Sequence, residues 1–221
     1  MIEKDNVASH SKTQIKIRKA EEKDIPEICR MLTARVVDSV EQSYILDGIC
    51  DKEKLTNLLL NIQINDVYRV GEIWIAGDYQ GVLTGHYGKG FTTLSLLRTA
   101  VAQNRQLIKH MTKTDLSQLK INMKRMAGTV NMRWRKQICG SADYFYLQLI
   151  AIDRSLKGSG TFRQLVGPIL ERSEHENIPV LLDTHDKDNI PLYEHFGFEL
   201  VKEHRARSGA PIVQYSMIRR C

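Results

Sequence analysis

The chain contains no apolar run approaching the roughly 18 residues that cross a bilayer as a helix, which argues against a membrane-spanning protein. Its first stretch, Met1 to Thr13, is polar and lacks the apolar centre of a secretory signal, so a loose tail on a cytoplasmic chain is expected. Cysteine is sparse. Cys29, Cys50, Cys139 and Cys221 lie far apart, with no Cys-x-x-Cys pair and no histidine at ligand spacing, so a structural zinc site is not expected and reduced thiols are. A Gly-x-Ser-x-Gly elbow is also missing, and no cysteine shares a pattern with a histidine, which argues against a covalent nucleophile. A full Gly-x-Gly-x-x-Gly is absent as well, which counts against a dinucleotide fold.

What is present is an ordinary globular balance. Hydrophobic residues make up 42% and charged residues 26% of 221, enough apolar surface for one full core. The net charge of +6 is unevenly spread: Phe91 to Cys139 holds ten Lys/Arg against the single acid Asp115. Such a segment can attract nucleic acid, an acidic acceptor or the phosphates of a cofactor. It carries no interleaved aromatics for stacking on bases, so a solvated helix face is the simpler reading.

Hydrophobic spacing divides the chain into elements. Gln14 to Arg18 alternates like a strand. Asp24, Pro26 and Glu27 then open a helix whose stripe is Ile28, Met31, Leu32 and Val36. A second helix starts at Asp51, with Leu55, Leu58, Leu59 and Ile62 on one face. Val67–Val70 and Glu72–Ala76 read as strands around Gly71, and Val82–Tyr87 returns across the Gly77–Gly81 turn. In the basic segment, Leu94, Leu97 and Val101 mark one helical stripe, and Leu116, Leu119, Met123, Met126, Val130 and Trp134 mark another, each expected to pack on the body. Tyr144 to Ile152 is nearly continuous apolar, as in a central strand covered on both faces. A turn over Asp153 to Gly160, a helix with the stripe Phe162, Leu165, Val166, Ile169 and Leu170, and a strand Pro179 to Thr184 follow. A short helix ending at Phe198 and a hairpin across Ser208–Pro211 complete the chain.

Three of these features, in this order, resemble the GNAT superfamily of N-acyltransferases. The strand end Leu149-Ile150-Ala151-Ile152-Asp153 is similar to the strand that hydrogen-bonds the pantetheine arm through its main chain in that family. Lys157-Gly158-Ser159-Gly160-Thr161-Phe162 stands where the family has its pyrophosphate loop, commonly Gln or Arg followed by Gly-x-Gly-x-Gly/Ala. Asn189-Ile190-Pro191-Leu192-Tyr193-Glu194-His195-Phe196-Gly197-Phe198 resembles the family's Asn-x-x-x-x-Tyr-x-x-x-Gly-Phe segment. Lys157 and Phe162 depart from the pattern, so the second half of the resemblance is the more specific one.

The resemblance implies an α/β fold with a mixed, twisted central sheet flanked by helices and split beside the central strand. It implies one domain over residues 14–221 with a helical, basic insertion at about 91–139, preceded by the tail 1–13. It implies acetyl-CoA as cofactor, held by Ile150, Ala151, Ile152, Lys157, Gly158, Ser159, Gly160, Thr161, Phe162, Asn189 and Tyr193. The expected activity is transfer of an acetyl group to a primary amine, small molecule or peptide, by direct attack in a ternary complex. Tyr193 is the expected general acid, because a phenol stays protonated at neutral pH and can protonate a leaving thiolate. Asn189 is read as a pantetheine contact, or else as a helix cap. For the proton that the amine must lose, Asp153, His86 and His185 remain open, with Gln148 named beside them as no base itself but on the strand position where some relatives carry Glu, and His195 stands one helix step from Tyr193. A CoA-binding domain without turnover and a nucleic-acid module built on the basic helices are the rival readings. A monomer or homodimer is expected, with no membrane partner.

Overall fold

The parallel pair in the middle of the sheet decides the architecture. A computed structural model of the chain describes residues 15–90, 93–140 and 143–221; the expected tail over Met1 to Thr13 lies outside them. The strands are β1 (Ile17–Lys19), β2 (Glu72–Ala76), β3 (Gly81–Tyr87), β4 (Phe145–Ile152), β5 (Val180–Thr184), β6 (Glu199–Arg205) and β7 (Val213–Arg219), and they form one sheet in the order β1-β2-β3-β4-β5-β7-β6. Every neighbouring pair is antiparallel except β4 and β5. The helices are α1 (Ile25–Val36), α2 (Val40–Ile45), α3 (Lys52–Val70), α4 (Thr93–His110), α5 (Lys113–Arg125), α6 (Arg133–Cys139), α7 (Thr161–Glu176) and α8 (Ile190–His195). The sheet is therefore mixed and helices cover both faces, the α/β class that the sequence implies.

Alternation along the strands sends successive side chains to opposite faces. Phe145, Leu147, Leu182 and Met217 meet Leu165, Val166 and Ile169 of α7 on one face. Ile73, Ile75, Val82 and Ala151 meet Ile28, Leu32, Leu60 and Ile64 of α1 and α3 on the other. Arg172 of α7 fastens the first layer to the sheet, donating to both carboxylate oxygens of Glu72 at 2.7 and 3.2 Å. Truncating a fully buried Leu or Ile among these, such as Leu32 or Ile64, to Ala costs about 2–5 kcal/mol, the range for core cavities.

Strand β4 carries an irregularity that matters for the site. Leu147 pairs with Gly85 and Leu149 with Thr84, so Gln148 is an extra residue with no opposite number on β3. Bulges of this kind re-aim side chains and recur near active sites. Before the bulge Phe145 and Leu147 face α7; after it Ile150 and Ile152 do, while Leu149 and Ala151 turn to α1 and α3.

Two readings of the sequence are corrected. Val67–Val70 is the last turn of α3 and not a strand, because Val67 is fully buried against the α1 layer and the helix runs on to Gly71. The stripe from Leu116 to Trp134 is not one helical face. It breaks after Arg125, where Gly128 at φ +108° lets the chain press on the β6–β7 hairpin: a Cβ there would lie 2.7 Å from the Arg205 carbonyl oxygen. Leu119, Met126 and Trp134 are buried as expected, but Met123 and Val130 are exposed, as are Leu97 and Val101 of α4. Buried polar bonds hold these helices instead. Asn122 donates to the carbonyls of Ile45 and Asp47 at 2.9 and 2.7 Å, and Asp115 accepts from the Cys50 N–H at 3.1 Å.

Candidate active site

Strands β4 and β5 pair only from Phe145 to Leu147 and from Val180 to Leu182. Beyond that point β4 keeps β3, β5 keeps β7, and the two diverge. From Gln148 to Ile152 one edge of β4 therefore faces a cleft instead of a strand. Ile150 and Ile152 are half-buried on the α7 side and Ala151 is buried on the opposite side.

The cleft leads to the turn before α7. Asp153 accepts from the Ser155 N–H at 2.8 Å and also binds Arg35; these contacts, Ser155 foremost, hold its carboxyl below the usual range. The Lys157 and Ser159 N–H groups donate to Arg154 and Leu156 carbonyls at 3.1 Å each. The Ser159 hydroxyl donates to the Leu156 carbonyl at 2.6 Å and lies 2.7 Å from that of Thr161. Both hydroxyls are thus taken up in holding the turn. Gly158 and Gly160 sit at φ +79° and +83°, and no atom lies within 4 Å of where a Cβ would stand. Their left-handed backbone leaves an uncovered cradle, and the first N–H groups of the 16-residue α7 have no intrahelical acceptor. Such a cradle can receive an anion. Lys157 is exposed beside it.

Phe162 turns its ring to α8, with centroids 4.8 Å from Phe196 and 6.1 Å from Tyr193. That contact joins the first turn of α7 to the short helix. Tyr193 also packs edge-on against Phe198 at 6.0 Å, and its hydroxyl has no hydrogen-bond partner among the described residues. Burial first, and the Asp186 charge second, push the Tyr193 phenol up to about 12, so it is protonated throughout the neutral range. Asn189 precedes α8 without its side chain capping it. The cap of the preceding turn comes from Asp186, which accepts from the Asp188 N–H at 3.0 Å and leaves the Asn189 carboxamide uncommitted.

On the far side of the sheet from α7, a cavity of about 1030 Å³ lies among α2, α3, α4, α5, α6 and strands β3, β4, β5 and β7. Of the residues named for the proton that the amine must lose, His86, Gln148 and His185 line it; Asp153 does not. His86 is buried, which pulls its imidazole down to about 4 and keeps it neutral. His185 turns Nδ1 toward the Glu41 carboxylate at 3.7 Å, while its Nε2 is buried without a hydrogen bond, as is Gln148 Oε1. His195 is exposed, 3.3 Å from the Arg163 guanidinium, and does not join them.

One group here escaped the sequence reading. Asp183 accepts from Arg135 at 3.0 Å, Tyr146 at 2.9 Å, Gln214 at 2.6 Å and Ser216 at 2.6 Å, and Arg135 lies flat over the Tyr146 ring at 3.4 Å. The signal was a carboxylate inside the apolar run Val180-Leu181-Leu182-Asp183, which burial forbids without a partner.

Residues 96–219 match the acetyltransferase (GNAT) domain family. The chain belongs to the GNAT acetyltransferase family. It also resembles solved structures over most of its length, with low sequence identity. A protein described as histone acetyltransferase HPA2 and related acetyltransferase from Corynebacterium glutamicum superposes with a TM-score of 0.62, 15% identity, and coverage of 93% of this chain and 96% of that one. Arylalkylamine N-acetyltransferase 2 from Aedes aegypti gives 0.58, 13%, 94% and 99%. In sequence, an uncharacterized N-acetyltransferase of Schizosaccharomyces pombe is 35% identical over 54 residues, a match that spans 24% of this GNAT chain and 22% of the yeast protein. No helix among the described residues is long and apolar enough to cross a membrane.

Proposed function

We propose that the protein transfers an acetyl group from acetyl-CoA to a primary amine, with both substrates bound at once. The observation that carries this reading is the parting of β4 from β5, which leaves the β4 edge unpaired beside the uncovered turn at Gly158 and Gly160 and the Tyr193 cluster, while Gln148 at its start lines the cavity on the other face. The residues fit the cofactor. The cradle suits its pyrophosphate, the free edge from Gln148 to Ile152 suits the amides of its pantetheine arm, and the Asn189 carboxamide has no competing bond. When bound, acetyl-CoA supplies an acetyl group on a sulfur that leaves as a thiolate once the amine nitrogen bonds the carbonyl carbon. Tyr193 gives that sulfur its phenolic proton and recovers one from solvent. Phe162, at the usual small-residue position, offers its N–H to the cradle while its ring holds Tyr193 in place.

Isothermal titration with acetyl-CoA tests the reading: no binding at millimolar cofactor overturns it. A CoA-binding domain without turnover is the second reading, favoured by Lys157 and Phe162, and release of free CoA thiol in the presence of amines separates the two.

A further inference from the structure

We propose that the cavity on the far side of the sheet takes a primary amine carried on a single extended apolar body, with the nitrogen seated between Gln148 Oε1 and His185 Nε2. The inference rests on the acetyl-transfer reading and names its acceptor. Three independent properties of the cavity lead to it.

The first is a set of unmet acceptors at its floor. Gln148 Oε1, His185 Nε2 and Gln42 Oε1 are all buried, all line the cavity, and none has a hydrogen-bond partner among the described residues. With its Nδ1 turned to Glu41, the His185 ring carries its proton there and presents Nε2 as an acceptor. Buried acceptors left in this state call for a ligand that brings N–H groups. An amine brings two or three on one atom. The side chain of Gln148 reaches this wall because the bulge in β4 sets it at the point where β5 departs.

The second property is charge. Among the ten Lys/Arg of 91–139, only Lys120 and Arg135 line the cavity. Arg135 is committed: its side chain is 11% exposed, paired with Asp183 through Nη2 and stacked on Tyr146. Glu41 also lines the cavity, as does Asp66, which is already paired with Arg69. The cavity therefore disfavours the acidic or phosphorylated acceptor that the basic segment suggests, and Glu41 beside His185 favours a cation.

The third is the outer wall. Ile108, Met123, Val130 and Met132 line the cavity yet are 71%, 45%, 56% and 51% exposed. Exposed apolar side chains gathered around a concave site are a binding surface for apolar matter. A polyamine or an amino sugar would place charges or hydroxyls against that wall. An amine on an apolar body satisfies the floor and the wall together.

His185 then has a defined task. As the ammonium form settles, one N–H bond breaks, its electron pair stays on the substrate nitrogen, and the proton passes to His185 Nε2. The imidazolium so formed faces the Glu41 carboxylate. The freed pair is the nucleophile.

The experiment uses the full chain and four probes: 2-phenylethylamine, octylamine, spermidine and glucosamine. Amine binding is followed by titration calorimetry with and without CoA, and turnover by thiol release. Both apolar amines should show kcat/KM at least about tenfold above the other two, a discrimination that apolar contacts of this size supply. Met123→Ser, at an exposed position, should weaken phenylethylamine binding several-fold and leave acetyl-CoA affinity unchanged. His185→Gln should lower kcat about a hundredfold at similar amine affinity, the scale of a lost general base. Preference for spermidine or glucosamine, equal use of all four, or no affinity for either apolar amine overturns the proposal. Failure of acetyl-CoA to bind sinks the transfer reading instead, and calorimetry with the amines alone still decides this one.

Discussion

The two sides of the sheet are built on different plans. The turn before α7, the free edge of β4 and Tyr193 come from consecutive elements, β4 to α8, and their contacts are mostly apolar packing and short-range turns, with Arg35 on Asp153 as the long-range tie. The cavity is assembled from α2, α3, α4, α5, α6 and four strands, and polar bonds between distant residues hold it, such as Arg125 to Asp47 at 2.6 Å and Asn131 to Gln214 at 2.8 Å. A site made of neighbours in sequence can keep its geometry while the other side changes. Under the proposed reading, this difference would let one fold hold its donor substrate in one way and vary the acceptor.

That comparison can be broken in order of expected effect. Asp183→Ala strands Arg135 as a buried, unpaired charge and should destabilise the fold by about 3–5 kcal/mol in urea unfolding. If the loss is below about 1 kcal/mol, the polar plan of the cavity is wrong. His86 makes the same side sensitive to acid. Its folded pKa of about 4 lies below the unfolded value near 6.5, so its contribution is complete above roughly pH 6.5 and is lost as pH falls toward 4, at about 1.4 kcal/mol per unit. His86→Gln should flatten the pH dependence of the unfolding midpoint over that window, and an unchanged slope would assign it to other groups.

The α7 side should respond in function and not in stability. Tyr193→Phe should lower kcat about a hundredfold with acetyl-CoA affinity unchanged, as removal of a general acid does; undiminished turnover removes the phenol from the mechanism. Gly160→Ala puts a side chain in the left-handed region, and relaxation of the turn to relieve about 1–2 kcal/mol of strain opens the cradle, read as roughly tenfold weaker cofactor binding with amine binding untouched. Equal loss of both affinities would show that the two sides are not independent.

The same contrast explains what could be read from the residues. Apolar periodicity identifies β4, α7 and β5 because their partners are apolar and near in sequence. It fails at Met123 and Val130, where helical spacing persists but the side chains line a cavity instead of a core. It fails again at Val67–Val70, where a β-branched pair hides the last turn of a helix. Asn122, Asp115 and Asp183 do the fastening on the other side, and a polar residue does not announce its partner 48 or 77 positions away. Thus the fold class was legible, and so were the loop and Tyr193 as candidates, whereas the group at Asp183 and Glu41 beside His185 was not.

The extra residue in β4 acts as a phase slip in a period-two pattern. Exchange of the Gln148 side chain alters one contact, but drawing the residue into the regular ladder would invert the four that follow. Leu149 and Ala151 would then point at α7, and Ile150 and Ile152 at α1 and α3. Deleting it would leave all four on their present faces, so position 148 is spare in the strand's frame and serves to set one side chain where the two strands part.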